Sequence, residues 1–178
     1  IIGKIGTAGG TGHVIEYAGS SIMGLSMEGR MTICNMSIEA GARAGLISPD
    51  QTTFNYIKGR PYAPGTEHWD QAVEYWSSLP SDNDANYDHE IVIDSSEIDP
   101  MVTWGTSPED VVSVKGTVPN PSSAKTENKK KSIERSLEYM GLKPATKITD
   151  IKLDKISIGS RTNGRIEALR KVASIVKD

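Results

Sequence analysis

The C-terminal part of this sequence carries the pattern that most restricts its fold: an alternating segment, a short loop and an amphipathic segment in direct succession. Residues 151–158 alternate between two faces as a strand does, and residues 164–177 place apolar side chains at helical spacing. Between them lies the short loop 159–163. A strand followed by such a loop and a helix is the repeating unit of α/β proteins, which bind ligands at these loops. We therefore predict an α/β fold.

Glycine is concentrated at the start of the chain, with five glycines in residues 3–12. Such a backbone adopts dihedral angles that other residues avoid, or approaches another group closely. One interpretation is a phosphate-binding loop, and the other is a tightly packed structural turn. The segment has neither the Gly-Lys-Ser/Thr ending of a nucleotide-binding loop nor the third glycine of a dinucleotide-binding fold. The structural turn is therefore the favoured interpretation.

Residues 27–43 are predicted to form a helix with two distinct stripes. The apolar stripe contains Met27, Met31, Cys34 and Ile38. The neighbouring polar stripe contains Glu28, Thr32, Asn35, Glu39 and Arg43. This polar stripe is either a solvated face with a Glu39–Arg43 ion pair or one wall of a polar site into which Asn35 and Glu39 point together. The residues alone leave both interpretations open.

Other helices and strands follow from local signals. Ser48-Pro49-Asp50 starts a helix that ends at Gly59, a tryptophan-containing helix covers 67–79, and a helix that contains Ile133 ends at Gly141. Residues 89–94 are predicted to form a strand, and Ser107-Pro108 is predicted to start a helix of about one turn. We divide the chain into two α/β pieces, residues 1–86 and 87–178.

Composition excludes several classes of protein. No apolar run approaches the roughly 20 residues that cross a bilayer, and the net charge of −3 gives no general attraction to nucleic acid. The single cysteine, Cys34, excludes an internal disulfide and fits a reducing compartment. Three histidines show no metal-binding spacing. We expect neither a membrane nor a nucleic-acid partner, and the three lysines at 129–131 are predicted to be a solvated helix face.

Three stretches resemble the aconitase superfamily. They are residues 9–17 (Gly-Gly-Thr-Gly-His-Val-Ile-Glu-Tyr), residues 26–39 (Ser-Met-Glu-Gly-Arg-Met-Thr-Ile-Cys-Asn-Met-Ser-Ile-Glu) and residues 103–108 (Thr-Trp-Gly-Thr-Ser-Pro). Lys58-Gly59-Arg60-Pro61 and the tryptophan-containing helix are most similar to the large subunit of 3-isopropylmalate dehydratase. The resemblance runs essentially from end to end. It implies that the chain is a middle portion of such a subunit, with two adjoining pieces of aconitase-like α/β layers.

The resemblance also implies a site and a departure from it. Family members hold a 4Fe-4S cluster on three cysteine thiolates. By resemblance, Asn35 and Glu39 are catalytic, and Thr162 and Asn163 belong to the cofactor-binding loop. Arg161 occupies the position of the first cluster cysteine, and the sequence has no Cys-x-x-Cys pair for the other two. A guanidinium group has no lone pair to give to iron, and Cys34 does not match a ligand position. No intact metal site and no cluster are therefore expected in this chain.

By resemblance, the complete enzyme is a cytoplasmic hydro-lyase of leucine biosynthesis. It interconverts 2-isopropylmalate and 3-isopropylmalate, a hydroxy-dicarboxylate pair, by dehydration and rehydration. Its partner is the small subunit of isopropylmalate dehydratase. One alternative is a segment of the homoaconitase large subunit, which shares these motifs. The other is a non-catalytic fragment that serves as a structural or interaction module, which the missing cysteine ligands favour.

Overall fold

The computed structural model describes residues 1–159 and 162–177. By their mutual contacts these residues form two compact units. The first unit contains residues 1–11, 39–41 and 93–158. The second contains residues 12–38, 42–92, 159 and 162–177. This grouping follows contacts in space and crosses the sequence boundary at residue 86, while the assignment of residues 1–86 and 87–178 to two aconitase-like pieces stays a prediction.

The first unit is built around one long helix and a small antiparallel sheet. Its elements are α1 (Ile2–Ile5), β3 (Met101–Thr103), β4 (Val111–Ser113) and α6 (Glu127–Met140). Strands β3 and β4 pair antiparallel. The hydroxyl of Thr126 caps the start of α6, and Gly141 ends it in the left-handed conformation, which confirms the predicted end of this helix. The apolar core consists of Trp104, Val118, Ile133 and Leu137.

The second unit combines a parallel strand pair with five helices among its described residues. The elements are β1 (Val14–Glu16), α2 (Ser20–Met23), α3 (Met27–Met36), β2 (Ala44–Leu46), α4 (Gln51–Ile57), α5 (Thr66–Ser77) and α7 (Ile166–Ile175). Strands β1 and β2 run parallel. Phe54 of α4 stacks on Trp76 of α5, and Trp76 meets the edge of Trp69. The tryptophans therefore serve packing, as an aromatic stripe predicts.

The α/β class is confirmed, but several predicted elements are wrong. Residues 89–94 and 151–158 form no strand, because no described strand pairs with either segment. Ser107 starts no helix. It begins a turn in which its backbone N–H donates to Asp110 Oδ2, and a strand follows at Val111. Alternation and capping signals predict a local preference, whereas a strand exists only where a partner strand accepts its hydrogen bonds.

The predicted helix at 27–43 is also shorter in the structure. It ends at Met36, and a single 3₁₀ turn covers Ile38–Ala40. The hydroxyl of Ser37 donates back to the carbonyl of Ile33 at 3.1 Å, a contact that bends helices. Gly41 then adopts a φ of 82°, which ends helical geometry.

The glycine-rich start is a packed turn within the first unit. The backbone N–H of Gly10 donates to the carbonyl of Ala40 at 2.8 Å, and that of Thr11 donates to Ala8 at 3.1 Å. A Cβ at Gly9 would lie 2.5 Å from the carbonyl oxygen of Ile5. Because these backbone donors are used within the protein, the structure favours the structural turn over a phosphate-binding loop.

Among the helices of the described part of the chain, not one combines the length and apolar character needed to cross a membrane.

Candidate active site

Helix α3 carries the predicted polar stripe, and its start is firmly fixed. The Ser26 hydroxyl accepts a hydrogen bond from the backbone N–H of Gly29 at 3.2 Å and so caps the helix. Arg30, only 3% exposed, donates to the carbonyl oxygens of Met23 at 2.6 Å and Leu25 at 3.2 Å. These contacts tie the first turns of α3 to the end of α2 and to the loop between the two helices.

The same arginine connects α3 to α4. Its guanidinium group donates to both carboxylate oxygens of Asp50, at 2.7 and 2.9 Å. Asp50 also caps α4 by accepting from the backbone N–H of Thr53 at 3.2 Å. The hydrogen bond from Arg30 is the main reason that the pKa of Asp50 lies below its usual value. A bidentate pair of this kind fixes distance and angle together, so it sets how α3 lies against α4.

Two residues of the polar stripe meet the loop that follows position 161. The amide of Asn163 donates to Thr32 Oγ1 at 2.7 Å and approaches the carbonyl oxygen of Glu28 at 3.4 Å. Thr32 Oγ1 in turn donates to the same carbonyl at 2.8 Å. Asn163 and Thr32 are 131 positions apart in sequence. The structure therefore joins the predicted cofactor-binding loop to the middle of α3.

Asn163 also shapes its own loop. Its side-chain oxygen accepts from the backbone N–H of Arg165 at 3.1 Å, which forms a tight turn just before α7. The side chain is half-buried, and its amide and carbonyl ends are both engaged. In this structure the Asn163 side chain therefore connects the start of α7 to α3 through hydrogen bonds at both of its ends.

A second contact holds α7 against the start of α3. Glu167 lies in the first turn of α7, and a hydrogen bond from Ser26 is the largest cause of its lowered pKa. Lys171, one turn further along, forms an ion pair with Glu167 at 3.2 Å and contributes to the same shift. A carboxylate in the first turn also suits the positive end of the helix dipole.

Asn35 and Glu39 do not share one helix in the structure. Asn35 lies in the last turn of α3, in the second unit, whereas Glu39 lies in the 3₁₀ turn at 38–40, in the first unit. Both side chains are exposed, and neither forms a hydrogen bond or an ion pair with the described residues. Thr162 is exposed as well, while Arg161 lies outside the described residues. The assignment of catalytic and cofactor-binding roles stays a prediction.

Sequence reasoning missed the Arg30–Asp50 pair and the contact between Arg165 and Tyr56. Arg165 Nη1 donates to the Tyr56 hydroxyl at 3.3 Å, so the loop before α7 also reaches α4. One signal was available for the first pair. Arg30 lies beside the apolar stripe of its helix, where a buried guanidinium group needs an acidic partner, and Asp50 at the next helix start was one candidate.

The residues of this chain do not fit a 4Fe-4S cluster. Its only thiol, Cys34, is half-buried in α3, and burial raises its pKa, which disfavours the thiolate that binds iron. Among residues 1–159 and 162–177, no group of three or more histidine, cysteine or acidic side chains is arranged to hold a metal ion. Position 161 offers a guanidinium group. The donor set therefore lacks the three thiolates that such a cluster needs.

The sequence matches one known protein family along its whole length. The family model described as the aconitase family (aconitate hydratase) matches residues 1–178. This match covers both compact units, the α3 stripe and the loop before α7. On this ground the chain belongs to the aconitase family, a family of hydro-lyases whose members generally use a 4Fe-4S cluster.

Proposed function

We propose that this chain is a segment of the large subunit of 3-isopropylmalate dehydratase, which interconverts 2-isopropylmalate and 3-isopropylmalate in leucine biosynthesis. The observation that carries the proposal is the contact of Asn163 with Thr32 and Glu28. It brings together two motifs that resemble the family's cofactor-binding loop and its active-site helix. The family match supports hydro-lyase chemistry, and the motif at 58–61 supports the choice of subgroup.

The side chains of this segment suit a reaction that removes and returns a proton. Dehydration takes a proton from one carbon and hydroxide from its neighbour, and rehydration on the other side of the double bond gives the isomer. Glu39 is an exposed carboxylate without a protein partner among the described residues, so it can accept and return that proton. Asn35 has an equally exposed amide that can donate to a substrate oxygen.

The active enzyme would also need groups that lie outside this chain. The complete enzyme would carry the 4Fe-4S cluster, and its small subunit would close the site around the hydroxy-dicarboxylate. We place this enzyme in the cytoplasm.

Two alternatives make different predictions. A homoaconitase large subunit would share the motifs but act on the longer homologue of aconitate. A non-catalytic segment is favoured by Arg161, which replaces the expected thiolate by a group that cannot bind iron.

The deciding experiment uses the complete protein that carries this chain, purified anaerobically with its small subunit. Its turnover is measured with 2-isopropylmalate, homoaconitate and cis-aconitate as separate substrates, for the natural residue at position 161 and for Arg161→Cys. The proposal expects a preference for 2-isopropylmalate by at least about tenfold, in either the natural protein or the cysteine variant. Preference for homoaconitate contradicts the assigned substrate, and no turnover in either form identifies a non-catalytic segment.

A further inference from the structure

Two arginines contact the same tyrosine in the corner between α4 and the start of α7. The guanidinium carbon of Arg60 lies 3.9 Å from the centre of the Tyr56 ring, and Arg165 donates to the hydroxyl of the same tyrosine at 3.3 Å. Both arginines are exposed, whereas Tyr56 is half-buried. Two positively charged groups therefore contact one aromatic side chain, and all three residues belong to the second unit.

The charges of this corner are not compensated within the described residues. The ion pairs found among the described residues connect other groups, and none joins a carboxylate to Arg60 or Arg165. Lys58 extends over Trp69 in the groove between α4 and α5, where Asp70 and Glu74 also lie. The two arginines therefore form a local positive patch on a chain whose net charge is −3.

The groups in this corner present donors to a ligand. Each guanidinium group has five N–H donors in a planar fork and no acceptor. Arg60 uses Nε to donate to the Tyr56 carbonyl at 2.6 Å, and Arg165 uses one Nη1 donor on the tyrosine hydroxyl. Because that hydroxyl accepts from Arg165, its own proton points elsewhere and can be donated to a bound anion.

The loop before α7 limits how far Arg165 can move. Its backbone N–H is bonded to Asn163 Oδ1 at 3.1 Å, and Asn163 is held on Thr32 at 2.7 Å. Tyr56 is fixed from the other side by its place in α4, whose cap is Asp50. A preorganised pair of guanidinium groups loses less entropy on binding than two independent surface side chains.

We propose that Tyr56, Arg60 and Arg165 form a binding site for a small dicarboxylate anion. A planar guanidinium group can donate two parallel hydrogen bonds to one carboxylate. Two guanidinium groups held at one tyrosine therefore suit a ligand with two carboxylates. The choice of a dicarboxylate over phosphate, which presents similar oxygens, rests on the proposed function. The site itself requires neither a cluster nor catalysis.

The test is a residue-resolved ¹H–¹⁵N NMR titration of the 178-residue chain with succinate. Inorganic phosphate and the monoanion propionate are titrated separately. We expect saturable succinate binding that shifts the amide signals of residues 56, 60 and 165, with weaker binding of phosphate and propionate. Arg60→Gln and Arg165→Gln are each expected to raise Kd about tenfold, and Tyr56→Phe about threefold.

Arg170→Gln is the matched control, because it removes the same charge from an exposed position of α7, whereas the two arginine contacts with Tyr56 come from Arg60 and Arg165. Its Kd is expected to stay within about twofold of the unmodified chain. Equal weakening in Arg170→Gln, or no saturable binding, overturns the site. Tighter binding of phosphate at these residues overturns the dicarboxylate assignment. None of these outcomes depends on turnover, so the substrate assay decides the proposed function separately.

Discussion

The interior of the first unit and the α3–α7 junction of the second use polar groups in different ways. In the first unit Asp110 is almost fully buried, and it accepts from Ser136 Oγ at 3.1 Å and from the Ser107 backbone at 3.3 Å. Lys129 lies 3.6 Å from the same carboxylate. At the α3–α7 junction, Asn163 and Thr32 are half-buried, and Asn35 is exposed.

We interpret the buried polar groups of the first unit as serving stability, and the half-buried groups at the α3–α7 junction as available for function. A buried polar group whose hydrogen bonds are all made within the protein specifies a turn beside an apolar core and has no capacity left for a ligand. Half-buried groups at a junction can hold two segments in register and still meet solvent or substrate. Lys129 lies at the edge of this buried group, with 43% of its side chain exposed. It belongs to the lysine run predicted to be solvated, yet it forms an ion pair with Glu109 at 2.9 Å, which raises the pKa of Lys129.

The largest expected effect concerns iron binding. It tests whether either unit offers a metal site. We expect the 178-residue chain to bind no iron–sulfur cluster after anaerobic reconstitution with iron and sulfide, because its donors do not fit one. Arg161→Cys alone is expected to remain without a stable cluster, since two more thiolates are needed. The measurement is bound iron and sulfide per chain. A stoichiometric cluster on the unmodified chain would overturn this view.

The next effect concerns Glu39, the predicted catalytic residue of the first unit. In a complete, cluster-bearing enzyme that contains this segment, we expect Glu39→Gln to lower kcat by at least about a hundredfold, because the amide cannot accept a proton. The fold should persist, since the side chain is exposed. Glu97→Gln, at another exposed acid of the first unit, is the control and should leave kcat unchanged. Near-normal turnover of Glu39→Gln with normal iron content would exclude the assigned role.

The third prediction compares how the two units are stabilised. Arg30→Met leaves the carboxylate of Asp50, which is 22% exposed, without its main partner. We expect the free energy of unfolding to fall by about 3 kcal/mol. In the first unit the comparable loss comes from apolar packing, and Ile133→Ala is expected to lower stability by about 3 kcal/mol. Urea denaturation measures both. An Arg30→Met chain as stable as the unmodified one would show that the polar pair does not hold α3 on α4.

The Arg30–Asp50 pair also makes the stability of the folded chain depend on pH, in a direction that can be predicted. Arg30 lowers the pKa of Asp50 in the folded chain below the ordinary value of 3.8. The stability gained from this shift is therefore fully present above about pH 4 and is lost as the pH falls through the lowered folded-state value. The stability difference between the unmodified chain and Arg30→Met should shrink as the pH is lowered below 3.8. A difference that stays constant or grows in acid would contradict the linkage.

These elements also show what sequence could predict. Two helix boundaries follow local rules: Asp50, within the predicted helix start at residues 48–50, caps α4, and Gly141 ends α6. The two predicted strands at 89–94 and 151–158 failed because pairing depends on residues elsewhere in the chain. Leu153 and Ile156 remain 69% and 76% exposed, so the alternating pattern there does not report burial within the described chain.

The candidate site was predictable only in part, for the same reason. The polar stripe of α3 was visible in the helical spacing of Glu28, Thr32 and Asn35, but the helix bends and ends before Glu39. The partner of Thr32 lies 131 residues away, and no local rule identifies it. Only the resemblance placed Asn163 near a cofactor, and the structure adds that its side chain reaches α3.

A further prediction contrasts Gly45, which packs against the end of α3, with Gly29, which lies within α3. A Cβ at Gly45 in β2 would collide with Ser37 Oγ and lie 2.9 Å from the Cα of Cys34. Gly45→Ala is therefore expected to destabilise the chain by about 2 kcal/mol. A Cβ at Gly29 would find ordinary contacts of 3.5 Å with the side chain of Leu25, just before the helix, so Gly29→Ala should stabilise by about 0.5–1 kcal/mol. Thermal denaturation separates the two, and equal shifts in Tm would contradict this packing.

The most direct test of the central claim, that the loop before α7 is held on the polar face of α3, is a double-mutant cycle with Thr32→Val and Asn163→Ala. Unfolding free energies from urea denaturation give the coupling between the two side chains. We predict a coupling of about 1 kcal/mol, because each substitution removes the same 2.7 Å hydrogen bond. The control cycle pairs Thr32→Val with Ser174→Ala, whose hydroxyl donates within α7 to Lys171, and should show none. Additive effects of Thr32→Val and Asn163→Ala, within about 0.3 kcal/mol, would contradict the claim.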